Sequence, residues 1–358
     1  MSNFREGGLN VAISRIPQTD YTTPPTPAAG SFVREEIKTR SQPAVTPATK
    51  NNAGYATGYP FATDSWVEAW QTGWPWPVDL SAQNIGRYLL ASMGKVTTDQ
   101  PAAGPSPTVY RHKFEPLPFL TTSQLPVYAL LTQMAASANG INRMVPSMVA
   151  RSFKMAASGI QRLDGNIDWA GSGEIIAPSG VTWATHVNEI QGTQNFFFSR
   201  MVEMAISDTN GSNSDTVSCD LKNWNWSVEN ALADNDWGCP AFVDDDPNLG
   251  AIRSQHLLGN QAYMQDWRIK LRNDTPDYED LMAQREMKLI TTLEGGIIED
   301  LYTYKLTVTS YLAKYTSALD GFEDGFAVVD VKPELLFNVS ANKIMEVELI
   351  NDVVSYTT

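Results

Sequence analysis

Trp66, Trp70, Trp74, Trp76 and Val78 all fall on even positions of the stretch FATDSWVEAWQTGWPWPVD. Successive side chains of a strand point to opposite faces, so these five share one face of a sheet. A face carrying that many indoles needs a second layer to cover it. The next stretch, LSAQNIGRYLLASMG, changes period: Ile85, Leu89 and Met93 recur at helical spacing. Asp79 or Ser81 is placed to cap the first turn, and Gly94 stands where a left-handed C-terminal cap is wanted. After a Pro/Gly-rich loop, Gln100 to Pro107, TVYRHKFEPL reads as a returning strand.

The same strand–helix–strand order recurs from Gln261 to Ala313. In AYMQDWRIKLRND, Tyr263, Gln265, Trp267, Ile269 and Leu271 make one face, and Asp266, Arg268, Lys270 and Arg272 the other. TPDYEDLMAQREM, residues 275–287, reads as a helix capped by Thr275, with Pro276 at its first position and Asp277 and Glu279 at the positive end of its dipole. KLITTLEG and LYTYKLTVTSYLA follow as strands. The two copies share pattern but almost no identity.

Elsewhere, residues 17–60 are punctuated by seven prolines (Pro17 to Pro60) among Thr and Ala, which excludes central strands and stable helices. Residues 117–150 read as a short helix followed by a loop. Strands resume in ARSFKMAASGIQ and in RLDGNIDWAGSGEI, where Leu163, Ile167 and Trp169 alternate with acidic and amide residues. TQNFFFSRMVEMAISD places Phe196, Phe198, Val202, Met204 and Ile206 on one face; DLKNWNWSVENAL alternates Trp224, Trp226 and Val228 with polar partners. Met345, Val347 and Leu349 alternate with Glu346 and Glu348 near the end. Many strands and two helices make a mainly β chain, with β-sandwich or barrel modules each flanked by a helix, duplicated within the chain. The expected domains are an extended segment 1–60, a first module 61–209 and a second 210–358.

Charge narrows the function. Residues 201–300 carry 19 Asp/Glu against 7 Lys/Arg, so nearly all of the chain's net −14 lies there. Tight nucleic-acid binding needs cations to displace counterions, and this balance opposes it. No apolar run is long enough to span a bilayer, and the polar opening MSNFREGGLN is unlike a signal peptide. Cys219 and Cys239 could pair, but reduced structural thiols are the default for a chain made and used without export.

The residues offer little chemistry. His112, His186 and His256 are far apart, and none has a second ligand at helical or hairpin spacing. No phosphate-cradling glycine loop or nucleophile elbow is present, and the GSG at 171–173 reads as a turn. Asp244, Asp245, Asp246, Pro247 and Asn248 lack the spacing of a calcium loop and read as a solvated acidic turn. Ten tryptophans could stack on sugars, but those that can be placed alternate with polar partners, the pattern of a buried sheet face. The expectation is a protein without catalytic activity, cofactor or metal.

IGRYLLASMGKVTTDQPAAGPSPTVYRHKFEP, LDGNIDWAGSGE, CDLKNWNWSVENAL, LGNQAYMQDWRIKL and MEVELINDVVSY, in that order, resemble the helix, loop and strand pieces of the tail tube proteins of long-tailed bacteriophages. The resemblance covers residues 61–115 and 160–356 with gaps; residues 17–60 and 117–150 depart from the compact family form. It implies β-sandwiches or barrels flanked by a helix, whose long hairpins join between subunits into one barrel around a channel. Rings stack into a tube through which the genome passes. Two modules per chain imply trimers of pseudo-sixfold symmetry; a single enlarged module implies hexamers. Implied partners are further copies of the chain, the tape measure, terminator and tip proteins, and passing viral DNA held without tight binding. The implied place is the virion tail, assembled in the host cytoplasm. Acidic groups lining the bore keep DNA from sticking, and Asp266, Glu294 and Glu299 are the candidate lumen carboxylates. A virion decoration protein and a carbohydrate-binding β module remain the alternatives.

Overall fold

The computed structural model describes residues 9–39, 42–53, 61–101, 108–117, 124–134, 141–188, 194–209, 214–217, 221–233, 241–242, 250–253, 256, 258–270, 285–323 and 325–357. It is mainly β, as the alternation predicts.

The organising strand is β4 (Ser65–Asp79). Its Trp74, Trp76 and Val78 are fully buried, and Trp66 and Trp70, nearer its start, are partly covered. Pro75 and Pro77 fit because β3 (Ala44–Asn51) pairs with β4 only as far as Gly73. Beyond that point its ladder is to β9 (Asp164–Gly171), and on the other side the one described bridge, Ile37 to Val78, uses Pro77 only as an acceptor, its O receiving the Lys38 N–H (2.7 Å), so no N–H is asked of either proline there.

Helix α1 (Ile85–Met93) follows β4 and is buried on every side, Arg87 and Ser92 included. Its start is held by a reciprocal pair. The Asn84 N–H donates to Ser81 Oγ (3.2 Å), and the Ser81 N–H donates to Asn84 Oδ1 (2.9 Å). Of the two expected caps, Ser81 is therefore the one used. Gly94 ends the helix at φ 96°, its N–H donating to Leu90 O.

The helix can be wholly buried because it lies between two layers. It packs on β8 (Ile141–Ser158) and β13 (Leu221–Leu232) on one side, and on β5 (Gly94–Asp99) and β6 (Tyr110–Pro116) on the other. The first layer runs β3–β4–β9–β8–β13–β16–β19–β18, with β16 at Leu258–Lys270, β19 at Phe326–Leu335 and β18 at Tyr302–Glu323. The second runs from β5 through β6, β20 (Met345–Asn351), β18 and β17 (Met287–Glu299) to β11 (Val202–Asp208) and β12 (Ser214–Val217). β18 belongs to both: Lys305–Ser310 lie beside β20, and Ala313–Glu323 lie beside β19.

A smaller sheet joins β10 (Val187–Asn188), β2 (Phe32–Glu35), β1 (Leu9–Ser14), β7 (Tyr128–Met134) and the first part of β8. β8 therefore passes from one sheet to another, and it turns the corner at Pro146–Ser147. Ser147 has φ 61°, a left-handed conformation uncommon for a residue with a side chain. Its N–H donates to Gln18 Oε1 (2.8 Å) and its hydroxyl to Tyr21 O (2.5 Å), so the loop after β1 pins the bend.

One hydrophobic cluster runs from Val11 to Tyr356 and draws on both sides of residues 209 and 210. β13 pairs with β8, and β20 with β6, across that same position. Six indoles, Trp74, Trp76, Trp169, Trp224, Trp226 and Trp267, lie in it essentially unexposed. Edge-to-face contacts link Trp74 to Trp76 (4.9 Å) and Trp76 to Trp169 (5.8 Å).

Three expectations are corrected. The described residues of 117–150 contain no helix: Tyr128–Met134 and Ile141–Ser158 are strands. YALLTQM is apolar on both faces because it is buried on both, and such a run has no period to tell strand from helix. Phe196 and Phe198 do not share the core face of Val202, Met204 and Ile206. A 3-10 turn at Ser199–Met201 breaks the alternation, and Phe197 is the buried ring. Within 17–60, prolines do not prevent strands: β2 lies between β1 and β10, and β3 carries Pro47 as an edge strand. The helix expected over 275–287 falls mainly on 271–284, outside the described residues, as do Cys219, Cys239 and Asp244–Asn248.

Candidate assembly surface

The described open strands differ in how they are guarded. β3 presents Pro47, which has no N–H, and Lys50, which reaches Glu68 at 2.8 Å. β5 pairs only with β6; it carries Lys95, ion-paired with Glu115 at 2.5 Å, and Asp99, bound through both oxygens to Arg111 at 2.7 Å. That double hydrogen bond holds the Asp99 carboxyl below its ordinary range. Proline and fixed charge both discourage a second strand from adding.

The far half of β18 carries fixed charge only at its ends, Lys314 paired with Glu286 (3.2 Å) and Glu323 with Arg268 (3.1 Å). From Lys314 onward its described pairing is to β19 alone, and from Thr316 to Phe322 it contains no proline and no cation. Leu319 and Phe322 are exposed there, at 63% and 88%, and Phe326 faces solvent across the turn. Gly325, at φ 80°, supports the turn. Lys270 Nζ lies 4.9 Å from the Phe326 ring, and Arg268 grips Asp330 with two nitrogens (2.5 and 2.7 Å) and Glu323 with a third (3.1 Å). Those bonds push the Arg268 pKa up and the Asp330 pKa down, so a fixed charge cluster sits near the turn, with Asp330 directly across from Leu319. The exposed apolar side chains are thus carried on a hairpin end that is held in place.

The three sequence-predicted carboxylates are not on adjacent strands. Asp266 lies on β16, between β13 and β19, and accepts a hydrogen bond from Asn225 Nδ2 (2.7 Å). Glu294 and Glu299 lie on β17, between β11 and β18. Glu294 accepts from Thr303 Oγ1 (2.8 Å), and Glu299 accepts from Thr108 Oγ1. Asp208, Glu229 and Glu286, from the same acidic region, are each ion-paired, with Arg285, Lys154 and Lys314. Among the described residues, Asp266 and Glu294 have a neutral donor and no cation at ion-pair distance. Their charge is left to act on whatever faces them.

The faces beside the hairpin are laced with opposite charges. Lys343 bridges Glu115 and Glu346, and Lys113 faces Glu348 at 3.8 Å. Against the cost of burial, the hydrogen bonds from Lys343 and Lys95 hold the Glu115 carboxyl below its usual range. This network is the feature that sequence reading missed; the only signal was the alternation of charged with apolar residues, Lys113 and Glu115 about Phe114 on β6 and Glu346 and Glu348 about Val347 on β20.

A cleft of about 190 Å³ is lined by Glu36, Lys38, Asp79, Asn84, Arg162, Gln194 and Phe196, among others. Lys38 binds Asp79 (2.8 Å) and Asp164, and Arg162 binds Asp79 (3.2 Å) while stacking 3.8 Å from the Phe196 ring. Both cations are thus committed to carboxylates. The histidines do not converge: His112 is buried beside Asn351, His186 lies in the short helix α2 (Trp183–His186), and His256 sits edge-on to Tyr21 at 5.3 Å. No group of three or more His, Cys, Asp or Glu is placed to hold a metal among the described residues. No helix of the described chain is long and apolar enough to cross a membrane. No protein-family model and no curated protein sequence matches the chain.

Proposed function

We propose that this chain is a structural subunit that assembles with copies of itself into stacked rings, as the tail tube of a long-tailed bacteriophage. The observation that carries the reading is the β18–β19 hairpin. A strand edge with no further described partner and two exposed apolar side chains is an aggregation hazard in a lone molecule, and a closed ring removes the hazard by pairing every edge. A helix enclosed between sheet layers is in keeping with the same family form. The single core from Val11 to Tyr356 favours one enlarged unit per chain, hence six copies per ring rather than three.

In this reading no catalytic step, cofactor or metal is required. Asp266 and Glu294 contribute uncompensated negative charge to a bore that must let a phosphate backbone pass without holding it. The tape measure, terminator and tip proteins would meet the ends of the stack, and the place of action is the virion tail after assembly in the host cytoplasm.

The test is the mass and shape of the purified protein's smallest closed assembly, by light scattering and negative-stain imaging. Hollow stacked rings that are lost in Leu319→Lys/Phe322→Lys support the reading. Wild-type protein that stays monomeric at high concentration refutes it, and discrete monomers retained on a polysaccharide column favour a carbohydrate-binding module instead.

A further inference from the structure

After β20 the chain runs without strand pairing from Asp352 to Thr357, yet it is firmly seated. Tyr356 is 1% exposed, its ring packed over α1 at Gly86 and against His112 (4.8 Å) and Phe114 (6.0 Å) on β6. Asn351 is the hub. Its Nδ2 donates to Ala82 O (2.6 Å) and to the Tyr356 hydroxyl (2.8 Å), and its Oδ1 accepts from the Val353 N–H (3.0 Å). Asp352 is held by Gln83 Nε2 (3.1 Å) and the Tyr304 hydroxyl (3.3 Å).

His112 closes the arrangement. Its Nε2 lies 2.8 Å from Val353 O and 3.1 Å from Asn351 Oδ1, both acceptors, so Nε2 carries the proton. Its Nδ1 lies 2.9 Å from the Thr98 hydroxyl, which donates to it. The neutral ring therefore satisfies every partner. A second proton, on Nδ1, would force the Thr98 hydroxyl to turn round and would place a cation where no carboxylate is free to meet it. Asp99 on β5 is the near one, and it is bound through both oxygens by Arg111 of β6. Lys113 on β6 adds like charge nearby and is turned to Glu348. Beneath Tyr356, Arg87 of α1 is paired with Glu35 at 3.4 Å.

We propose that Asp352–Thr357 is an acid-released strap: protonation of His112 frees Val353 and Tyr356 from β6 and α1 while the sheets stay folded, uncovering the groove along Gly86. Release lets the imidazolium reach water, so acid favours the open form by linkage. Burial lowers the pKa of His112 against the opposing pull of its bonds to Val353 and Asn351 and of Asp99, the direction that a closed strap favouring the neutral ring requires.

Amide exchange followed by mass spectrometry, corrected for intrinsic rates, tests this at about pH 7.5 and about pH 5. Protection of the 352–357 peptide should fall by about tenfold or more on acidification, with β13 and β18 peptides unchanged. His112→Gln, which keeps a donor but cannot take up the proton, should hold the strap closed at both values. Tyr356→Ala should expose it at both. Equal strap protection in wild type at the two pH values overturns the proposal. So does an acid response that survives in His112→Gln, or one shared by the core strands.

Discussion

Gly86 is the position where a single methyl group should be most informative. A Cβ built there falls 2.1 Å from Tyr356 Cζ and 2.4 Å from its hydroxyl oxygen, and α1 is enclosed by sheet on both sides. Gly86→Ala must therefore displace the Tyr356 ring. Exposing one buried tyrosine costs about 2–3 kcal/mol, and losing the Asn351–Tyr356 hydrogen bond adds about 1 kcal/mol. Alanine returns about 1 kcal/mol through its helix propensity. The net expectation is a loss of about 2–3 kcal/mol. Tyr356→Ala alone should cost about 3–5 kcal/mol. In that background the clash is gone and the propensity gain remains, so Gly86→Ala should change sign and stabilise by up to about 1 kcal/mol. Urea unfolding of the four proteins, with unchanged m-values, gives the cycle. If Gly86→Ala costs the same with and without the tyrosine, the ring is not what excludes a side chain there.

Burial, with Arg253 and Arg151 nearby, lowers the His256 pKa to about 3. The unfolded chain takes up a proton near pH 6.5 and the folded chain does not, so stability is unaffected above that value and falls as pH drops from 6.5 towards 3. The total is about 5 kcal/mol, and His256→Phe should flatten that part of the urea-midpoint profile while leaving the neutral end close to wild type. Glu35 is fully buried; burial raises its pKa despite Arg87 and the Tyr88 hydroxyl at 2.9 Å. Arg87→Ala should thus cost about 3–5 kcal/mol, and pairing it with Glu35→Leu should recover much of the loss; additive losses would show that the two do not act together. Gly94→Ala combines φ 96° with a contact of 2.4 Å to Leu117 Cγ and should lower the urea midpoint by about 1–3 kcal/mol in equivalent stability.

Where one face of a strand is buried and the other wet, the sequence reading held. The even positions 72–78 of β4 and the odd positions 263–269 of β16 face the core, and Trp224, Trp226 and Val228 on β13 do as well; nearer the start of β4 the alternation breaks, with Glu68 exposed, Ala69 buried and Trp66 and Trp70 only partly covered. It failed where burial is two-sided, since β7 has no polar face to set a period. It also passed over β5, whose KVTTD is short, polar and at an edge, a segment that becomes a strand only because β6 lies beside it. Pairing across the chain was not legible either. That Lys343 reaches Glu115, or that Tyr356 needs Gly86, depends on β6 and α1 meeting a segment more than two hundred residues later. For the assembly surface, the carboxylates could be named from charge density alone. The exposed Leu319 and Phe322 looked like ordinary strand residues until their edge was seen to have no neighbour among the described residues beyond β19.

The indole nitrogens of Trp76, Trp169, Trp224, Trp226 and Trp267 are sealed from solvent and donate to no acceptor among the described residues. Fluorophores so placed emit in a dry surrounding, towards the blue end of the tryptophan range. The molecule thereby carries an intrinsic gauge of wetting in its own interior. Any treatment that admits water between the layers will move that emission to the red before the strands part, and association that leaves the interior intact will not.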